Sequence, residues 1–220
     1  GCQGIDERDD VTTLGRGGSD TTAVAVAYGI GADMCEIYSD VDGVYTAEPR
    51  VAPRARKLDS LSYEDMLELS SSGAGVLQSR AVEFARKYNV VIHSRSAFSN
   101  APGTLIKEAD PEMEQAVITG IAHDTSEVKL TIRDAQDRPG IAARLFGALA
   151  GNKVNVDMII QNISEEGHTD ISFTCPEADL ERACGTIESL LDQLGAREYA
   201  VDQNIANVSV VGTGRKSSPG

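Results

Sequence analysis

The chain has 220 residues, room for one large domain or two small ones, and 41% of them are apolar, enough for a buried core. A formal charge of −14 excludes a nucleic-acid surface, which needs a basic patch to neutralise phosphates, and fits an acidic, well-solvated exterior. No run of 18 apolar residues exists to span a membrane, and Gly1-Cys2-Gln3-Gly4 lacks the basic and apolar regions of a signal peptide, so the expected location is cytoplasmic.

Val11 to Gly18 reads as a Thr/Gly-rich loop. Ser19 and Asp20 open an Ala/Val-rich run to Ala32, apolar nearly all round, which predicts a buried helix. Met34 to Tyr38 reads as a strand and Ser39 to Pro53 as a loop. Ser62 and Asp65 form a variant capping box ahead of a helix that stops near Gly73. Leu77 to Tyr88 predicts a helix with an apolar stripe of Leu77, Ala81, Phe84, Ala85 and Tyr88. Strands follow at Val90 to His93 and at Thr104 to Ile106. Lys107 to Gln115, charged and containing Pro111, reads as a linker, which gives a first domain over 1–107 and a linker over 108–116.

Beyond it the pattern changes. Val117 to Ala122 reads as a strand, and Val128, Leu130 and Ile132 alternate with polar residues as in a half-buried strand. Pro139 suits the first turn of a helix running from Ile141 to Ala150. Val154 to Ile163 and Asp170 to Thr174 read as strands about a Glu166-Gly167 turn; Leu180 to Leu194 is a helix and Glu198 to Val201 a last strand. The order strand-helix-strand-strand-helix-strand is the ferredoxin-like βαββαβ plan, assigned to 117–205. Asn207 to Val211 starts the same phrase again, so 206–220 is read as a truncated start of a second such domain, into which 117–124 can also pair.

Four cysteines, Cys2, Cys35, Cys175 and Cys184, lack C-x-x-C spacing and read as core residues or free thiols in a reducing compartment. His93, His123 and His168 share no ligand spacing, and no metal site is expected. The tripeptides at Asn162 and Asn207 read as chance matches to a glycosylation signal. Val210 to Gly214 imitates a dinucleotide fingerprint but lacks its third glycine.

Two stretches can carry chemistry. In Leu14-Gly15-Arg16-Gly17-Gly18-Ser19-Asp20, glycines permit close backbone approach to a ligand, and the helix start favours an anion that Arg16 can pair. The alternative is an ordinary glycine-rich turn; a Walker A loop is excluded because no Gly-Lys-Ser/Thr follows. Asp40-Val41-Asp42-Gly43-Val44-Tyr45 follows a strand, where open α/β sheets place ligand loops. Its aspartates suit ribose, a metal or a cation and Tyr45 suits a base, unless this is only an Asx-rich turn. Arg50 is either a second phosphate partner or a solvated arginine.

In combination, Thr12 to Asp20 (TTLGRGGSD), Cys35 to Arg50 (CEIYSDVDGVYTAEPR), Ser62 to Gln78 (SYEDMLELSSSGAGVLQ) and Val154 to Asn162 (VNVDMIIQN) resemble the aspartate kinase family. The resemblance implies an α/β chain: the C-terminal part of an amino acid kinase domain, an αβα sandwich, then an ACT domain and the first strand of a second one. It implies ATP-dependent phosphorylation of the β-carboxylate of L-aspartate, with Mg²⁺ on the nucleotide. By similarity Arg16, Gly17, Gly18 and Ser19 bind substrate, with Arg16 and Asp20 catalytic. Ser39, Asp40, Tyr45, Arg50 and Gly75 hold ATP, Gly75 standing where the family usually has lysine. Asp137, Arg138, Pro139, Gly140, Ile141, Ala142, Asn155, Val156, Asp157 and Gln161 match the segments that bind lysine and/or threonine as effectors. Homo- or hetero-oligomers through ACT domains are implied, with no nucleic acid or membrane partner. No Lys-x-Gly-Gly motif occurs, so the chain alone is expected to be inactive. The competing readings are a non-catalytic amino-acid-binding regulatory subunit and a kinase acting on glutamate derivatives.

Overall fold

The computed structural model describes residues 3–15, 17–111, 113, 118–162 and 167–212. Arg16, Val117, Ile163, the Glu166 half of the turn and the end of the fingerprint-like stretch lie outside the described residues, as does Cys2. The chain divides into two compact units, Asp124–Asn207 and the remainder on either side of it.

The first unit opens with a hairpin of β1 (Gln3–Ile5) and β2 (Val11–Thr13), turned by the Asp6 carboxylate, which accepts from the N–H groups of Arg8 and Asp10. α1 (Gly18–Ile30) buries a stripe of Thr21, Val24 and Ala27 and ends at Gly31 in the left-handed conformation. The expected all-round burial is therefore corrected: Val26, Tyr28 and Ile30 are exposed. β3 (Cys35–Ser39), β4 (Ser60–Ser62), β5 (Ile92–Ser96) and β6 (Thr104–Lys107) form a mixed sheet in the order β3-β5-β6-β4, of which β4 has no sequence expectation.

Ser62 caps α2 (Tyr63–Ser71) as expected, its hydroxyl accepting from the Asp65 N–H at 3.0 Å. α3 (Ser79–Tyr88) starts two residues later than predicted and ends at Asn89, a residue that tolerates the left-handed cap. Tyr63 fastens α2 by donating to the Val90 carbonyl at 2.9 Å. Buried Val24, Met66, Leu69, Ala81, Val82, Ala85, Ile92 and Ile106 make the aliphatic core. On the other face of β3 and β5, Glu36 accepts from Tyr38 and from Arg95, bonds that hold its carboxyl below the usual range.

β7 (Gly120–Asp124) leads into the second unit and β12 (Asn207–Val211) leads out of it, and the two pair with each other. Between them run β8 (Glu127–Gln136), α4 (Ile141–Gly151), β9 (Ile159–Gln161), β10 (His168–Pro176), α5 (Leu180–Glu188), α6 (Leu191–Leu194) and β11 (Glu198–Asp202). The antiparallel sheet has the order β11-β8-β10-β9, the ferredoxin-like arrangement read from the sequence. Its core is Leu130, Ile132, Leu145, Leu149, Ile171, Phe173 and Ile187.

Three sequence expectations shift here. Gly140, left-handed at φ 92°, is the N-cap of α4, so Pro139 stands before the helix rather than in its first turn. The single helix expected over 180–194 is broken at Ser189-Leu190. Among the described residues of the long strand expected from Val154, only Ile159–Gln161 is regular. Cys35 and Cys175 are buried free thiols, and burial pushes Cys175 up to about 11.

Candidate functional site

The glycine-rich loop is held by close packing. Gly17 lies at φ 72°, and a Cβ there would come within 1.9 Å of Gln78 Cγ; one at Gly18 would come within 2.7 Å of Leu14 Cβ. Glycine is thus required at Gly17 by both φ and space and at Gly18 by space. Gly18 N–H closes a turn on the Gly15 carbonyl at 3.1 Å, and Arg80 of α3 donates to the Leu14 carbonyl at 3.2 Å. Ser19, exposed, and Asp20, half-buried, begin α1. Burial and the Asp20 charge together raise the Cys35 thiol. Ser19 borders an open hollow with Thr22, Val26 and Cys35, apart from the cavity described next.

A cavity of about 290 Å³ is walled by Asp40–Tyr45, Ala47–Arg50, Leu69, Gly73–Val76 and Ile121–His123. It brings Gly75 together with Asp40, Tyr45 and Arg50 of one loop, all four expected to hold nucleotide. Ser39 ends β3 just before this wall, its hydroxyl accepting from the Val41 N–H at 3.4 Å. Buried Thr104 fixes the loop: its hydroxyl accepts from the Val44 N–H at 2.9 Å and donates to the Leu58 carbonyl at 2.6 Å. Gly43 is required beside it, since a Cβ there would lie 2.5 Å from Thr104 Oγ1 at φ 134°. Ser99 donates to Asp42 at 2.8 Å. Arg50 lies 3.9 Å from Glu48 and is 86% exposed, free to swing toward a ligand. Gln78, two residues beyond the Gly73–Val76 wall, packs on Gly17 of the glycine loop.

Sequence reasoning missed Thr104 and His123. Thr104 acts on a loop 60 residues away, and His123 was weighed only as a zinc ligand, so no local signal pointed to either. Among the described residues no metal-binding cluster occurs, and no helix is long and apolar enough to cross a membrane.

The expected effector residues fall into two groups. Asp137 to Ala142 form the turn from β8 into α4, with Asp137 N–H donating to the Gly167 carbonyl at 2.8 Å and Arg138 donating to the Gln193 carbonyl. Asn155 N–H donates to the Asp179 carboxylate at 3.0 Å; Val156 is half-buried; Asp157 N–H donates to the Thr174 carbonyl at 3.1 Å. Since Gln136 sits opposite His168 and Asp157 beside Thr174, the groups are separated by six residues of β10, roughly 20 Å. Gln161, exposed and opposite Ile171, lies between them. One copy of the chain does not bring them together.

Residues 1–95 match the Amino acid kinase family and residues 133–191 the ACT domain. An aspartokinase of Mycolicibacterium smegmatis is 52% identical over the whole of this chain and 53% of its own length. The crystal structure of Clostridium acetobutylicum aspartate kinase superposes with a TM-score of 0.81 at 28% identity, over 97% of this chain and 49% of that one. E. coli aspartokinase III superposes at 0.74 and 27% identity in its R-state complex with aspartate and ADP, over 99% and 48%, and at 0.69 and 28% in its T-state complex with lysine and aspartate, over 96% and 46%. The chain spans about half the length of the curated relatives it matches. Along that length it joins a segment of the amino acid kinase family to an ACT domain in the order of the aspartate kinases, and its sequence is similar to theirs throughout.

Proposed function

We propose that the chain is the nucleotide-holding and effector-sensing portion of an aspartate kinase. The observation that carries this is the single cavity assembled by Asp40, Tyr45, Arg50 and Gly75. ADP is a ligand of the E. coli relative, and lysine is a ligand of the same protein in its other state. The reaction transfers the γ-phosphoryl group of Mg²⁺-bound ATP to the β-carboxylate of aspartate: a carboxylate oxygen bonds to phosphorus as the bond to ADP breaks. Such a transfer asks little covalent work of the protein; positioning and charge neutralisation carry it. Here the cavity orients the nucleotide, and the N–H groups at the start of α1 face the transferring phosphate, with Ser19 and Asp20 beside the aspartate.

No Lys-x-Gly-Gly segment occurs in these 220 residues, and they bind nucleotide without completing the transfer. Titration with a fluorescent ADP analogue tests the reading. Asp40→Ala or Arg50→Ala should weaken binding by about tenfold to a hundredfold, the worth of a charge-assisted hydrogen bond. The same preparation should form no aspartyl hydroxamate from aspartate, ATP and hydroxylamine. Binding untouched by both substitutions would overturn the site, and hydroxamate above a mock preparation would overturn the inactivity.

In the second unit, lysine and/or threonine bind where the Asp137–Ala142 turn of one copy meets the Asn155–Gln161 segment of another. The separation of these groups within one copy supports this, as does the exposed apolar edge of Met158, Ile159 and Ile160.

A further inference from the structure

His123 lies in the cavity wall with no role so far. It stands on β7, where Ile121 is exposed, Ala122 buried and His123 half-buried, and all three border the cavity. The strand is firmly held. Ile121 N–H donates to the Thr46 carbonyl at 2.8 Å, beside the cavity residues Tyr45 and Ala47. Thr119, just before β7, donates through N–H to the Val211 carbonyl at 2.8 Å and through its hydroxyl to the buried Asp65 carboxylate at 3.0 Å. Gly120 packs so closely that a Cβ there would lie 3.2 Å from Leu69 Cδ2 and 3.3 Å from the Thr46 carbonyl. A half-buried imidazole is thus delivered to the cavity on a fixed backbone, and among the described residues it has no hydrogen-bond or ion-pair partner.

Charge decides which part of a nucleotide the imidazole meets. Among the described residues lining the cavity, Asp40, Asp42 and Glu48 stand against Arg50, the one lysine or arginine. An acid-rich wall repels phosphates, whereas carboxylates accept well from ribose hydroxyls and an amino group of a base. The nucleoside half therefore fits the cavity, with the phosphates directed along Gly73–Gln78 to the glycine loop. We propose that His123 is a nucleoside-binding residue, hydrogen-bonded to the base or ribose of the nucleotide. This rests on the nucleotide reading of the cavity.

The test titrates adenosine and ADP into the 220-residue chain and into its His123→Ala and His123→Gln variants. His123→Ala should weaken both ligands by the same factor, about three- to tenfold, the worth of one neutral hydrogen bond. His123→Gln keeps a donor and an acceptor and should bind both more tightly than His123→Ala. Unchanged affinities, a loss confined to ADP, or equal losses in the two variants would overturn the assignment; the last two outcomes indicate a phosphate contact and a packing effect. A parent chain that binds neither ligand would reject the nucleotide reading itself, whereas a parent that binds both while the variants are indifferent would reject only the role of His123.

Discussion

At Gly75 the backbone stays out of the left-handed region, and an added Cβ would meet nothing within 4 Å. That separates it from Gly17 and Gly43, where conformation and space both demand glycine. Gly75→Lys should therefore fold normally and bring an ammonium to the cavity rim, where the aspartate kinase pattern has lysine. ADP should bind several-fold more tightly, toward the tenfold expected of one charge-assisted hydrogen bond. Equal ADP affinity in calorimetry of the two chains would mean that this position acts through its backbone. Gly17 and Gly43 stand out in the sequence because glycine and charged types in a short run signal a ligand loop, whereas Gly75 stands out only through the resemblance to the aspartate kinase pattern. Thr104 and His123 do not stand out, since one serves a loop reached only through tertiary pairing and the other is a lone histidine on a strand.

Elements were legible where their periodicity or caps are local. Ser62 announces α2, and alternating Val128, Leu130 and Ile132 announce β8. α1 misled because its Ala/Val composition carries no polar face to mark which side is buried; packing against α3 and β3 decides that. β9 was read too long because Val154 to Asp157 follows an extended path fixed by single bonds to Asp179 and Thr174, not by a ladder. β7 offers the test at this scale. Thr119→Val preserves shape but leaves the buried Asp65 carboxylate without its donor, which should cost about 1–3 kcal/mol. Urea unfolding should show the loss, and Thr119→Ser should recover most of it. An unchanged midpoint in Thr119→Val would show that the bond does not hold β7.

For the whole molecule, the split between an α/β unit and a βαββαβ unit followed from a change in hydrophobic pattern along the chain, and the matches at 1–95 and 133–191 follow that order. Placement of the effector residues did not follow, because sequence spacing hides that Asp137 and Asp157 lie near opposite ends of one sheet. If two copies complete the site, lysine or threonine should bind together with self-association, followed by sedimentation velocity. Ile160→Lys, which charges the exposed β9 edge, should abolish both. Effector binding by a monomer, unaffected by Ile160→Lys, would contradict the shared site. A crystal structure of the chain grown with ADP tests the nucleotide cavity itself. The nucleoside should lie between the Asp40–Arg50 loop, Gly73–Val76 and Ile121–His123, with the phosphates toward Gly17 and Gly18. An ADP molecule seated elsewhere while this cavity stays empty would contradict it.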